Sequence, residues 1–251
     1  MKKILLYPIG TTGACQYAVD FLKDAGCNIV DHPTPEVTHL LLDVPSFGVH
    51  GHLRSGDSLS GVLDMLPQYI TVIGGNLDHP LLEEHPKMDL LQNSRYLAMN
   101  AQITAHCALT VAAPLLRTYW PESPALIIGW GRIGKCLGQL LKAMGCDVTI
   151  AARNLSDLAM MEAMGYKALE IHRISSLGPY RLLFNTAPET VLSDSVLHSN
   201  PDCVKIDLAS RKGLDCPDCV WARGLPGIHA PESSGRLIAD TILSWIQEVV
   251  Q

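Results

Sequence analysis

The residues with the clearest chemical signature form a glycine-rich turn near the middle of the chain. The turn reads Gly129-Trp130-Gly131-Arg132-Ile133-Gly134 and directly follows the apolar segment 125–128. In this G-x-G-x-x-G spacing, the first glycine permits a tight turn, the second lets the backbone approach a pyrophosphate, and the third allows close packing. The motif therefore predicts a dinucleotide site at a helix N-terminus. An ordinary strand–turn–helix connection that binds nothing is the alternative.

The end of the next apolar segment predicts which nucleotide binds. It reads Ile150-Ala151-Ala152-Arg153-Asn154 and contains no acidic residue. Sites for NAD place Asp or Glu here to accept a hydrogen bond from the ribose 2′-hydroxyl. Arg153 can instead hold a 2′-phosphate through charge-assisted hydrogen bonds of about 1.5–3 kcal/mol. We therefore expect NADP, with Arg153 and Asn154 at its adenosine end; a surface arginine without a ligand is the alternative.

Two later segments end in polar residues that we expect at the same edge of a parallel sheet, where ligands bind. We assign Asn185, Thr186 and Ala187 to the cofactor's ribose, with a plain turn as the alternative. Asp207, Leu208 and Ala209 end the next segment, and their small side chains would let a nicotinamide ring approach. Asp207 can equally cap a turn.

Three further residues are candidates for catalysis. His106 and His229 are two of them, because an imidazole is the side chain best suited to proton transfer at neutral pH. Arg211, followed by Lys212, can bind a carboxylate bidentately. The alternatives are a hydrogen-bonded helix histidine for His106 and a solvated pair of loop cations for Arg211 and Lys212.

The elements that must position these residues alternate between short apolar segments and amphipathic segments. This alternation predicts an α/β protein with two Rossmann-like, doubly wound parallel-sheet domains. We place an N-terminal substrate or catalytic domain at residues 1–100 and an NADP-binding domain at 101–231. A C-terminal helix over 232–251 is expected to fold back on the first domain. We further predict a strand at 95–100 and a helix over 101–119 that Pro114 kinks.

Composition excludes several classes of function. The net charge of −6 without a long basic run argues against a nucleic-acid partner. No apolar run approaches the length of a membrane span, so we expect a cytoplasmic protein. The eight cysteines are scattered, and a single C-x-x-C pair (Cys216, Cys219) cannot complete a zinc site, so we expect no metal. The hydrophobic fraction of 47% leaves apolar surface to cover, which favours an interface between domains or between subunits, and we expect a homo-oligomer.

Several motifs together resemble the family formed by the A subunits of dipicolinate synthase. They are NAQITAHCAL (100–109), GWGRIG (129–134), AAR (151–153), FNTAP (184–188), IDLASRKG (206–213) and LPGIHAPESSGRLIAD (225–240). The resemblance implies two Rossmann-like domains with NADP in the second, and it places Thr104 near the nicotinamide. It also implies oxidation of a dihydro- or tetrahydrodipicolinate to dipicolinate during sporulation, together with a flavoprotein-like B subunit.

Two other functions remain open on the sequence. One is an NADP-dependent dehydrogenase of a different hydroxy or imino acid, with His229 as its acid or base. The other is a non-catalytic NADP-binding protein that regulates a flavoprotein. All three hypotheses share the dinucleotide site and differ in what binds beside it.

Overall fold

The computed structural model describes residues 4–48 and 51–250, with side chains up to residue 248. The chain forms two compact units. Unit 1 comprises Met1–Asn100 and Pro226–Gln251, and unit 2 comprises Ala101–Leu225. Within the described residues, no helix is both long and apolar enough to cross a membrane.

Unit 1 is built on a parallel sheet of five strands in the order β2-β1-β3-β4-β5. The strands are β1 (Leu5–Pro8), β2 (Asn28–Ile29), β3 (His39–Leu41), β4 (Thr71–Gly74) and β5 (Lys87–Asp89). The helices that begin in this part of the chain are α1 (Gly13–Asp24), α2 (Leu59–Asp64) and α3 (Ser94–Ala112). The chain reverses its direction of winding between β1 and β3. Such a switch point is where ligands bind in doubly wound sheets.

The C-terminal helix α8 (Pro231–Val250) completes unit 1 by packing on α1. The two backbones approach so closely that a Cβ atom at Gly235 would lie 2.7 Å from the Ala14 carbonyl oxygen. Ile238 and Ile242 are buried beside Leu22 in the same core. The apolar face of α8 therefore covers the helix that follows the first strand.

Unit 2 contains six parallel strands in the order β11-β10-β9-β6-β7-β8. The strands are β6 (Ala125–Ile128), β7 (Val148–Ala152), β8 (Lys167–Glu170), β9 (Leu182–Asn185), β10 (Val204–Asp207) and β11 (Cys219–Trp221). The helices that follow β6 in this unit are α4 (Arg132–Ala143), α5 (Leu155–Ala163) and α6 (Asp194–Leu197). A short helix, α7 (Leu225–His229), begins at the last residue of unit 2 and continues in unit 1. This is the six-stranded order of dinucleotide-binding sheets, with its switch point between β6 and β9.

The predicted strand at 95–100 is wrong, because these residues belong to α3. Asn93 precedes the helix, and its side-chain oxygen accepts a hydrogen bond from the Tyr96 amide at 2.9 Å, as an N-cap does. The fifth strand lies earlier, at β5, and ends at Asp89. The apolar residues of this short segment were compatible with a strand or a helix, and the N-cap at Asn93 favours the helix.

The predicted kink at Pro114 takes the form of a helix end. The α-helix stops at Ala112, and residues 113–115 form a 3-10 turn. Proline lacks an amide hydrogen, and its ring clashes with the carbonyl of the preceding turn, so the α-helical hydrogen bonds cannot continue.

Candidate functional site

The glycine-rich turn after β6 is closed at both ends and open in the middle. Gly129 has φ +102°, and a Cβ there would lie 2.4 Å from the Thr186 Oγ1 atom. A Cβ at Gly134 would lie 2.2 Å from the Gly129 carbonyl oxygen. Gly131 has φ −76°, and a Cβ there would meet no atom within 4 Å. The packing therefore requires glycine at 129 and 134. At Gly131, by contrast, the backbone faces open space that a ligand could occupy.

Helix α4 begins at this open position with its amide groups available. Gly131 is the N-cap and has no side chain to cap the helix, and within residues 4–48 and 51–248 no other side chain accepts a hydrogen bond from the first turn. A helix start of this kind attracts a negatively charged group through its free N–H groups and its dipole. The turn thus fits the pyrophosphate of a dinucleotide.

Among the other turn residues, Trp130 turns its side chain into the protein. It is 8% exposed, and its ring lies 5.6 Å from that of Tyr166, edge to face. Arg132 is exposed and Ile133 is half-buried at the start of α4. Trp130 therefore anchors the turn, and Arg132 is the residue of the three that is open to solvent.

Arg153 directly follows β7, as predicted, and is exposed. Its guanidinium forms an ion pair with the carboxylate of Glu189, and the two side chains are 61% and 56% exposed. The next residue, Asn154, caps α5: its Oδ1 accepts a hydrogen bond from the Ser156 amide at 2.8 Å. No acidic residue lies at the end of β7 itself.

Glu189 was not among the residues predicted from the sequence. It lies 36 positions after Arg153, in the loop that follows β9. The order of the strands brings the two residues together, because β7 and β9 both pair with β6. Glu189 lies four positions after the end of β9, and an acidic residue close behind a strand was the available signal, but the identity of its partner depended on this strand order.

The loop after β9 is fixed by its own side chains. Asn185 is fully buried, and its Nδ2 donates to the Ala187 carbonyl and to the Asp207 Oδ1, both at 2.9 Å. The Thr186 hydroxyl donates to the Ile128 carbonyl at 2.8 Å, which ties the loop to the end of β6. These bonds hold Thr186 and Ala187 beside the glycine-rich turn.

Asp207, at the end of β10, holds a turn rather than facing solvent. Its carboxylate is fully buried and accepts hydrogen bonds from the amides of Ala209 (3.1 Å), Gly213 (2.6 Å) and Leu214 (2.9 Å), in addition to Asn185. Four donors saturate a carboxylate. Of the two interpretations left open above, the structure favours the turn cap. Leu208 and Ala209 are also buried, at 7% and 3% exposure.

The turn that Asp207 organises presents Arg211 to solvent. Arg211 is exposed and has no hydrogen bond or ion pair with the described residues, although its charge acts on the nearby Glu189. Lys212, by contrast, pairs with Asp215 at 3.1 Å. Of the two cations, Arg211 is the one available to an anion.

The remaining candidates lie on helices. Thr104 is 9% exposed and His106 is exposed, both on α3 in unit 2. His229 is exposed at the end of α7 and belongs to unit 1. Neither imidazole has a hydrogen bond or ion pair with any residue in 4–48 or 51–250, so no described carboxylate orients either ring.

Comparison with known proteins bears on this arrangement. No family model matches the chain. The A subunit of dipicolinate synthase from Bacillus subtilis (strain 168) is 24% identical over 245 residues, which cover 89% of this chain and 82% of the relative. The predicted resemblance to the dipicolinate synthase A subunits is confirmed.

Solved structures of dipicolinate synthase A subunits also share the fold. The Bacillus halodurans structure has a TM-score of 0.81 and 21% identity, covering 97% of this chain and 98% of its own. The Bacillus subtilis structure has a TM-score of 0.83 and 20% identity, covering 99% and 97%. The likeness to these proteins thus extends over both units, beyond the C-terminal motifs.

A more distant structure carries the same fold. A transhydrogenase from Sinorhizobium meliloti has a TM-score of 0.68 at 11% identity, covering 98% of this chain and 94% of its own. Two doubly wound parallel-sheet domains are therefore the architecture of this chain. The same fold thus occurs in a protein named as a transhydrogenase.

Proposed function

We propose that this chain is an NADP-dependent dehydrogenase that oxidises a dihydro- or tetrahydrodipicolinate-type substrate to dipicolinate. The observation that carries the proposal is the open glycine turn of unit 2, with a helix start over Gly131 and Arg153 at the end of the next strand. The similarity to the dipicolinate synthase relative supports the choice of substrate.

Different residues of unit 2 would bind different parts of the cofactor. Gly131 and the first amides of α4 would hold the pyrophosphate, and Arg153 the 2′-phosphate. Thr186 and Ala187 would line the ribose, while Asn185 and Asp207 fix the loops from behind. When bound, NADP⁺ supplies a hydride acceptor.

Arg211 would bind and orient a carboxylate of the substrate. Its guanidinium is exposed and unpaired among the described residues, and a planar fork suits a carboxylate. His106 or His229, or water, would take the proton that ring oxidation releases, since both imidazoles are exposed.

The setting of the reaction follows from the same similarity. Because the relative is named as one subunit of a synthase, we propose a second, flavoprotein-like polypeptide as partner. A homo-oligomer, a cytoplasmic location and a role in sporulation complete the proposal.

Titration of the protein with NADPH and NADH tests the cofactor assignment. We expect NADPH to bind at least about tenfold more tightly, because one or two charge-assisted hydrogen bonds depend on the 2′-phosphate. In Arg153→Ala the difference should largely vanish, with NADH binding nearly unchanged. Equal affinities in the wild type, or a preference for NADH, would contradict NADP as the cofactor.

Titration of the NADPH complex with pyridine dicarboxylate and monocarboxylate analogues tests the substrate class. Arg211→Ala should weaken dicarboxylate binding by about tenfold or more, which is the cost of one bidentate contact. Lys212→Ala is the matched control, because Asp215 already pairs with that ammonium. A dicarboxylate that binds no better than a monocarboxylate, and equally well to the Arg211 variant, would contradict the assignment.

A further inference from the structure

The ion pair between Arg153 and Glu189 crosses the end of the strand that carries the glycine-rich turn. Arg153 follows β7 and Glu189 follows β9, and these strands flank β6 on its two sides. Their side chains meet, so the pair reaches across the carboxyl end of β6. In doubly wound sheets this is the edge where a dinucleotide lies.

Glu189 is held in this position by an ordered backbone. The Asn185 side chain fixes Ala187 through bonds to both its amide (3.1 Å) and its carbonyl (2.9 Å). On the far side, a Cβ at Gly213 would lie 2.9 Å from the Glu189 carbonyl oxygen. The loop after β9 is therefore packed against the turn that Asp207 organises. This packing fixes the backbone of Glu189, whose carboxylate pairs with the Arg153 guanidinium.

The Glu189 carboxylate is charged at neutral pH. The hydrogen bond and the positive charge of Arg153 lower its pKa from the ordinary value, and the charge of Arg211 lowers it further. Both members of the pair are more than half exposed, and such pairs exchange readily with other ions. A 2′-phosphate that approaches Arg153 thus meets a guanidinium that already holds an anion.

We propose that Glu189 sets the cofactor preference of this site by competing with the 2′-phosphate of NADP for the Arg153 guanidinium. The inference rests on the proposed function, since it takes the dinucleotide to bind at the turn of unit 2. The competition makes the ratio of NADPH affinity to NADH affinity smaller than it would be if Arg153 had no carboxylate partner. NADH carries no 2′-phosphate, so its binding does not require Arg153 to leave Glu189.

Titration of Glu189→Gln with NADPH and NADH tests this competition by direct binding. The substitution keeps the shape and removes one charge beside a doubly charged phosphate. We expect NADPH to bind about three- to tenfold more tightly, with NADH changed by less than about twofold. Glu162→Gln, which removes the same charge from an exposed position on α5, is the matched control and should change neither affinity.

A double variant shows whether the effect passes through Arg153. In the Arg153→Ala background, Glu189→Gln should have little further effect on NADPH, because no guanidinium remains to compete for. An undiminished gain in that background would overturn competition. Glu189→Ala is a second single variant that removes the same carboxylate. It too should raise the NADPH affinity relative to the NADH affinity.

Failure of this inference can be told apart from failure of the proposed function. A wild type that prefers NADPH, with an unchanged ratio in both Glu189 variants, overturns the role of Glu189 alone. A wild type that binds neither dinucleotide overturns both. Equal wild-type affinities that change to an NADPH preference in Glu189→Gln would support the competition and contradict the cofactor assignment.

Discussion

The two parallel sheets differ in what binds the first amides of the helix at the switch point. In unit 1, the turn between β1 and α1 is bonded to Asp43, which follows β3 across the switch point. The Asp43 carboxylate accepts hydrogen bonds from the amides of Thr11 and Thr12, both at 3.0 Å, and from the Thr12 hydroxyl at 2.6 Å. Asp43 is 3% exposed, so the chain itself supplies the anion at this helix start.

In unit 2, the residue across the switch point is Thr186, and it bonds elsewhere. Its hydroxyl donates to the Ile128 carbonyl, and among the described residues no carboxylate bonds to the turn over 129–134. The N-cap of α4 is a glycine, whereas Thr12 caps α1 through its side chain. One sheet therefore fills its anion position internally and the other leaves it open, which supports unit 2 as the dinucleotide-binding unit.

The largest expected effect comes from closing the open turn. Gly131→Val places a branched side chain where no protein atom lies within 4 Å, so the fold should tolerate it. NADPH affinity should fall by about a hundredfold or more, because the pyrophosphate loses its approach to the backbone. Calorimetric titration measures the affinity, and an unchanged melting temperature confirms folding. Wild-type affinity in the folded variant would place the dinucleotide elsewhere.

Removing the internal anion of unit 1 should affect stability instead. Asp43→Ala leaves two backbone amides without their acceptor, at an expected cost of about 2–4 kcal/mol in the free energy of unfolding. Urea unfolding monitored by circular dichroism measures this cost. NADPH affinity should stay within about twofold of the wild type, because the residues assigned to the dinucleotide all belong to unit 2. A large loss of NADPH affinity with unchanged stability would reverse the roles assigned to the two turns.

A smaller effect should appear at the thiol beneath Asp43. Burial, reinforced by the Asp43 charge, raises the pKa of Cys15 to about 12, so little thiolate exists at pH 8. Asp43→Ala removes that charge and the hydrogen bonds with which the carboxylate holds the turn, so alkylation of the buried Cys15 should speed up by about tenfold or more. Peptide mass spectrometry after iodoacetamide treatment measures the rate. Cys219 of unit 2, whose pKa burial also raises to about 12, is the control and should not change. An unchanged rate of Cys15 alkylation would show that Asp43 does not suppress the reactivity of this thiol.

Much of unit 2 was predictable because its signals are local. The glycines at 129 and 134, the strand before them and Arg153 after β7 all follow from short-range patterns with known physical causes. The roles that depend on long-range contacts were not predictable. The burial of Asp207 against Asn185, and the pairing of Glu189 with Arg153, arise only when separate strands align in one sheet.

Unit 1 was less predictable because its strands are short. Segments of two to four residues leave too few positions to distinguish a strand from a helix, as the error at 95–100 shows. The role of Asp43 was also missed, since an acid after a strand has many functions and its partners are more than thirty positions away. Only the strand order brings that carboxylate to the start of α1.

Amide hydrogen exchange, measured with and without NADPH, reads both turns in one experiment and tests the central claim most directly. Ligand contacts slow exchange locally. We predict slower exchange in peptides that cover 129–136 and 186–189, and no change in the peptide that covers 10–16. Protection at 10–16 with unchanged exchange at 129–136 would contradict the assignment of the dinucleotide to unit 2.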